Sequence, residues 1–365
     1  MTSSTPIQPT PCSTAVRDAD AALRRTVRAR LDSLAKPPGS MGRLEELAEA
    51  LCVAQRTSTP RTRPRLHLVY CGDHDAAVAT SAWPSSVSAL VARTLGRGGA
   101  VSSVLARRFE TPTRVVDVSL FGECGLEAGC ADGIEFLAAR LAPGAKDIRH
   151  EDALSPEQFE ACWRLGVSEA ERAAQRGFRL LVPGEVGIGN TASAAAMAVL
   201  ALGLTVEEAT GRGAGCDDTR HEAKRRAVAQ AVERAAACQA DLTGRLRAVA
   251  GGELVAMAGT LARASEVGIA SVLDGALAAA AGLLARERSP GCESRWLASH
   301  LGAEPLHRHA LESLRLEPWL PWGMRLGEGS GALLLLPLLD AAADLVCAVA
   351  TLEEALGGAS GEVGR

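Results

Sequence analysis

Aromatic side chains are scarce in this chain of 365 residues, 3% in all with a single tyrosine, although 47% of residues are apolar. A core so poor in rings and so rich in alanine has to be built by helices that approach one another closely. Positive charge is not in excess either, since 39 Lys and Arg stand against 43 Asp and Glu. With no general basic field, nucleic acid is not expected as a partner, and any phosphate must be gripped locally. The ten cysteines include no Cys-x-x-Cys and no paired spacing. That removes a zinc ribbon and a disulfide framework and leaves buried thiols of a reducing cytoplasm as the expectation. Residues 1–15 are rich in Ser, Thr and Pro without an apolar core, so a disordered lead is expected there and no signal peptide. Long apolar runs are missing except at 332–352, where Pro337, Asp340 and Asp344 interrupt the pattern. An aspartate near the centre of a spanning helix costs about 2.5–3.5 kcal/mol, so this run is expected as a buried helix, with no membrane partner.

What the chain does have is glycine in organised places. Residues 178–182 form a short apolar run, followed by Pro183-Gly184-Glu185-Val186-Gly187-Ile188-Gly189-Asn190-Thr191 and then alanine-rich sequence to Leu202. That order predicts a strand, a glycine loop and a helix start. Free amides and the dipole at a helix N-terminus attract an anion such as phosphate, although many such turns bind nothing, and the loop alone fits both readings. Glu185 tips the balance, because a loop made only for phosphate would not carry a carboxylate.

The length allows one large domain with an appendage, or two domains. Leu23, Val27, Leu31 and Leu34 recur at helical spacing, and Lys36-Pro37-Pro38-Gly39-Ser40 ends that helix before a second opens at Gly42. Lys36 by itself reads as a solvated loop lysine. A strand is expected at 66–70, with Cys71-Gly72-Asp73-His74-Asp75 at the carboxyl end where open α/β sheets gather ligands. Three adjacent side chains seldom converge on one ion, so Asp73, His74 and Asp75 read as a capped turn more than as a metal site. A helix over 84–97, strands over 100–105 and 114–119, and a capping box at Ser155 to Gln158 opening a helix stopped by Gly177 come next. Gly211 to Gly215 form a second glycine turn before a helix over 219–237, on which Arg220 and Lys224 share a face. Those cations fit solvent or a phosphate monoester equally. Gly251-Gly252-Glu253 precedes an apolar helix, and strands are expected at 267–273 and 296–299. His307 and His309, two apart on a helix, cannot share a ligand. The pattern is α/β: a doubly wound, mostly parallel six-stranded sheet.

A second carboxylate is framed by glycines at 325–331, Arg325-Leu326-Gly327-Glu328-Gly329-Ser330-Gly331, just before the buried C-terminal run. An acid there gains from the helix dipole whatever its role. Yet flanking glycines surrender helix propensity, which favours a general base reached through space left free of side chains.

These two stretches resemble signatures of the nicotinate-nucleotide–dimethylbenzimidazole phosphoribosyltransferases, as do Lys36 to Ser40, Gly72-Asp73-His74, Gly251-Gly252-Glu253 and Met257-Ala258-Gly259, all in family order from about residue 30 onward. The resemblance implies transfer of phosphoribose from nicotinate mononucleotide to 5,6-dimethylbenzimidazole, or a related base, for the lower ligand of cobalamin. It implies a homodimer with no cofactor and no metal, and a small helical domain built from both chain ends. The corresponding division is 16–60 for one part of the small domain, 61–300 for the nucleotide-binding domain and 301–365 for the C-terminal helices with the glutamate loop. Glu328 takes the place of the general base. Substrate contacts are implied at Glu185, Gly187, Ile188, Gly189 and Asn190 of the first loop, and at Gly213, Lys224 and Gly327. Asp75 departs from the glycine usual in the family, and the 80–85 segment differs too; its Trp83 fits stacking on a base or filling a helix–sheet gap. Two rivals remain open, a non-catalytic binding homologue and a Mg-dependent transferase using Asp217-Asp218 to hold the ribose of phosphoribosyl pyrophosphate.

Overall fold

Seven short apolar runs pair side by side, all parallel, in the order β3-β2-β1-β4-β5-β6-β7. The structure, a computed structural model, describes residues 14–127 and 133–357. The strands are β1 Arg65–Gly72, β2 Thr113–Ser119, β3 Ile134–Ala138, β4 Leu180–Val186, β5 Ala270–Leu273, β6 Trp296–His300 and β7 Pro318–Leu320. Strand order reverses between β1 and β4, which leaves a crevice at their carboxyl ends.

Side chains alternate across the sheet. Leu68 and Tyr70 of β1 face a layer containing the helices Pro156–Gln175, Asn190–Leu202, Gly252–Glu266 and Ala276–Arg288. Val69 and Cys71 of the same strand face the other way, onto the Ser86–Gly96 helix. Further along that second face, Leu180, Val182 and Val272 meet Val27, Leu31, Leu47 and Leu51 from the first two helices and Leu335, Leu336 and Leu339 from the Ser330–Cys347 helix. The first two helices and the Ser330–Cys347 helix thus pack into one apolar layer, and Leu34 forms a bridge with Thr351. Ser330–Cys347 is, among the described residues, the one helix long and apolar enough to cross a membrane, and 61% of it is buried within the fold. Its Asp340 accepts from Arg65 at 2.7 Å and from Thr62 at 2.5 Å.

Several expectations need correction. The 100–105 run is no strand; it belongs to the helix Val101–Arg108. Val101, Val104 and Leu105 stand at i, i+3 and i+4, which is helical spacing, and the β-branched content of so short a run outweighs it in the strand reading. Two strands, β3 and β7, lie where the sequence pattern predicts none. Both are sheet edges of five and three residues, and β7 begins at Pro318, a residue that edges tolerate and central strands do not. The sheet therefore has seven strands where six are read from the sequence. Residues 1–13 of the expected lead lie outside the described residues, while Thr14 already opens the first helix. Six of the eight described cysteines are buried, but Cys238 and Cys347 are exposed. Lys36 is not a solvated lysine either: it pairs at 2.8 Å with the buried Glu45.

The shortage of large side chains has its counterpart where Pro156–Gln175 meets Gly252–Glu266. A Cβ on Gly166 would strike the Ala256 carbonyl and come within 2.7 Å of the Thr260 nitrogen, while one on Gly259 would strike the Trp163 carbonyl. Thr260 donates its hydroxyl to the Gly166 carbonyl at 3.0 Å, tying its helix to the facing backbone. Gly166→Ala is expected to lower stability by about 1–3 kcal/mol through overpacking, as measured by urea unfolding. An unchanged midpoint would show that the helices do not meet there.

Candidate active site

Beyond the carboxyl ends of β4, β5 and β6 lies a cavity of about 300 Å³. Its wall includes Glu185, Gly187, Ile188 and Asn190 from the first loop and Gly327 and Glu328 from the second, so both framed carboxylates open into one space. Gly213 and Trp83 also line it, Trp83 being 53% exposed. Gly189 stands behind the wall as the N-cap of Asn190–Leu202, with φ at +97°, where a Cβ would press on His74 and Ala77. Val87, Val91 and Leu326 give part of the wall an apolar character.

β4 runs on through Pro183-Gly184-Glu185, further than the sequence suggests, and it pairs with β5 only at Leu180 and Leu181. The second loop packs against the part that β5 leaves free. Glu328 N–H donates to the Glu185 carbonyl at 3.1 Å, and a Cβ on Gly184 would fall 2.6 Å from the Glu328 oxygen and the Gly329 nitrogen. Gly327, Glu328 and Gly329 have φ of +86°, +62° and +77°, a left-handed run that costs a non-glycine residue about 1–2 kcal/mol. Three anchors hold Glu328 there. His67, buried and with its pKa pushed down to about 4 by that burial, is neutral and donates from Nε2 to the Glu328 carbonyl at 2.6 Å. Asp274 accepts from the N–H groups of Gly329, Gly331 and Ala332 at 3.2, 2.7 and 3.2 Å, closing the start of the helix. Ser102 donates its hydroxyl to Glu328 Oε2 at 2.8 Å.

Glu185 is buried, and Asn190 donates its side-chain amide to Oε2. Burial first, then the charges of Glu253 and Asp274, push the Glu185 carboxyl up to about 8. Burial also lifts Asp274 to about 7, against the pull of its three backbone donors. Behind the loop, the Gly72-Asp73-His74 and Gly251-Gly252-Glu253 stretches meet: His74 Nε2 lies 2.8 Å from Glu253 Oε1, both buried. Burial works against a charged His74, but Glu253, followed by Asp73 and Asp75, carries its pKa upward. The Ile188 N–H donates to the buried Ser88 hydroxyl at 2.9 Å.

Lys224 is not in the cavity wall but fully buried behind it, donating to Thr191 Oγ1 and the Gly211 carbonyl, each at 2.9 Å. Burial lowers its pKa. Arg220, its expected companion, instead turns to Asp217 at 3.5 Å in an exposed pair. Asp217 caps the Asp218–Ala237 helix and Asp218 pairs with Arg212 at 2.5 Å, so neither faces the cavity as a ribose-holding pair would. His307 accepts from the Gly302 N–H at 2.9 Å and stacks edge-on to His300. Among the described residues no group of three or more His, Cys, Asp or Glu is placed to hold a metal ion. Ser102, Asp274, His67 and Glu304 escape the sequence reading. Only Ser102 leaves a local trace, in the first turn after Gly98-Gly99-Ala100.

Residues 16–356 match a protein-family model described as phosphoribosyltransferase. A Chromobacterium violaceum protein named nicotinate-nucleotide--dimethylbenzimidazole phosphoribosyltransferase is 38% identical over 344 residues, 94% of this chain and 97% of that protein. A Thermus thermophilus protein of the same name is 38% identical over 330 residues, 90% of this chain and 96% of its own length. The crystal structure of CobT from Thermus thermophilus superposes with a TM-score of 0.84 at 37% identity, over 92% of this chain and 98% of that one.

The raised pKa of Glu185 has a consequence for stability. A carboxyl that holds its proton more tightly folded than unfolded stabilises the fold fully below the unfolded value of about 4.3. That contribution is lost as pH rises through about 8. Glu185→Gln is therefore expected to melt close to wild type at acid pH and above it in alkaline buffer, in thermal scans across that range. A difference that does not grow with pH would mean a solvated Glu185.

Proposed function

The chain belongs to the phosphoribosyltransferase family that these relatives define, and we propose that it transfers phosphoribose from nicotinate mononucleotide to 5,6-dimethylbenzimidazole or a related base. The products are nicotinate and α-ribazole 5′-phosphate, used for the lower ligand of cobalamin. The observation that carries this reading is the shared opening of Glu185 and Glu328 into one cavity with an apolar wall on one side and a glycine turn on the other. In nicotinate mononucleotide the departing ring is a pyridinium, which leaves neutral at its nitrogen and requires no acid. One base is then enough, unlike glycoside hydrolysis with its two carboxyl groups. As one benzimidazole nitrogen attacks the anomeric carbon, the other N–H becomes acidic, and Glu328 takes that proton. Ser102 occupies Oε2 of Glu328 and fixes the carboxylate's direction, so Oε1 is the oxygen that reacts. Glu185, its pKa pushed up to about 8, holds a proton in the free enzyme at neutral pH and releases it to solvent when the pyridinium nucleotide binds beside it. Its charge then faces the anomeric centre of the transition state, or the ribose hydroxyls. The dipole of the helix that starts at Asn190, the Gly213 N–H and Lys224 hold the phosphate.

The same reading includes a homodimer, supported by Leu90, Val101 and Val104, which expose 55%, 53% and 46% of their surface on two adjoining helices. The eight described cysteines are all free thiols, as suits the cytoplasm.

Glu328→Gln is expected to reduce nicotinate release by about 10²–10⁴-fold, the usual worth of a general base, with nucleotide binding nearly intact by calorimetry; loss of binding would make the residue structural. Lys224→Ala should weaken affinity for nicotinate mononucleotide far more than for the base. Equal losses for both would refute its phosphate role. Val101→Asp should shift the sedimentation coefficient toward that of a monomer.

A further inference from the structure

Within the phosphoribosyl-transfer reading, we propose that Glu304 is an internal stand-in for the substrate's phosphate: in the empty site its carboxylate takes the Gly213 N–H and lies beside the Lys224 charge, and the nucleotide displaces it. Glu304 lines the cavity, whereas Lys224, 4.0 Å from Glu304 Oε2, lies behind the wall and is fully buried. Oε1 accepts the Gly213 N–H at 2.8 Å, and both oxygens lie 2.6 Å from where a Cβ on Gly211 would stand. The carboxylate therefore sits in the concave side of the Gly211 to Gly215 turn, where only a glycine leaves room for it.

Two details mark this position as unfinished. Glu304 is the N-cap residue of the Pro305–Leu314 helix, yet its side chain makes no cap hydrogen bond and turns to Gly213 instead. Its Oε2 is buried with no hydrogen-bond partner, because 4.0 Å to Lys224 Nζ is too long for one. Lys224 meanwhile spends two of its three donors on Thr191 and Gly211. A phosphate, with three terminal oxygens, can satisfy the Gly213 N–H and the third Lys224 donor together, which the planar carboxylate does not. The ammonium cannot balance both anions in a buried space, so the two exclude each other. Glu304 is thus a positioning residue: it keeps the turn folded and Lys224 charge-paired until substrate arrives.

Titration calorimetry of the full chain with inorganic phosphate, nicotinate mononucleotide and the phosphate-free nicotinate riboside tests this. Glu304→Gln keeps an acceptor for Gly213 but loses the charge, and should bind phosphate and the mononucleotide at least about fivefold tighter, with riboside affinity unchanged and KM for the base unmoved. Glu304→Ala should also tighten phosphate. Unchanged or weaker phosphate binding in both variants overturns the stand-in while leaving the transferase reading in place. If the wild-type protein binds neither phosphate nor the mononucleotide, the reading and the inference fall together.

Discussion

The Glu328 N–H donates to the Glu185 carbonyl across a gap that exists only because Gly184 has no side chain. This contact joins the end of a central strand to the start of the C-terminal helix, and each carboxylate takes its direction from the same pair of peptides. A Cβ at Gly327 would strike Glu185, and one at Gly329 would reach 2.9 Å from His67, so the small residues on both sides serve the contact as much as they serve a substrate. His67, Asp274 and Ser102 come from three other elements and hold the left-handed turn from three directions. Local strain of this kind persists only when its surroundings over-determine it.

The second constraint is electrostatic. Asp73, Glu185, Glu253, Asp274, Glu304 and Glu328 are all wholly or largely buried near the carboxyl ends of the strands. Each of four is compensated separately: Asp274 by three backbone donors, Glu253 by His74, Glu185 by the Asn190 amide, Glu328 by Ser102. Burial first, and then Glu253, Asp274 and Glu328, raise the proton affinity of Glu185. A site crowded with acids is costly when empty and favourable to a cation, and the proposed substrate brings a pyridinium and leaves through a cationic sugar. In the proposed reaction its phosphate lies beside Lys224, where the Glu304 carboxylate already sits.

The scaffold around this site is stiff for a related reason. Small residues bring helix backbones into direct contact, as at Gly166 against Ala256 and Gly259 against Trp163, and the Thr260 hydroxyl bonds across the seam. Packing of that kind resists small displacements, because every neighbour is already at contact distance.

By itself the sequence determined what short-range pattern can encode: the parallel α/β alternation, the capping box at Ser155, the buried C-terminal helix, and the two glycine-framed glutamates at 185 and 328. Each rests on a period or a motif contained within a few consecutive residues, which is why each was legible. The tertiary structure alone decided the rest. Ser102 and Glu328 are 226 positions apart and His67 and Glu328 are 261 apart, so no local signal links them. The same holds for His74 with Glu253 and for Glu304 with Gly213. The edge strands β3 and β7 and the Val101–Arg108 helix were misread because runs this short take their form from neighbours supplied by distant parts of the chain. Lys224 was read as a cation on a helix face; its burial behind the cavity wall follows from where the glycine turn and Glu304 pack, and long-range packing of that kind leaves no trace in a helical period.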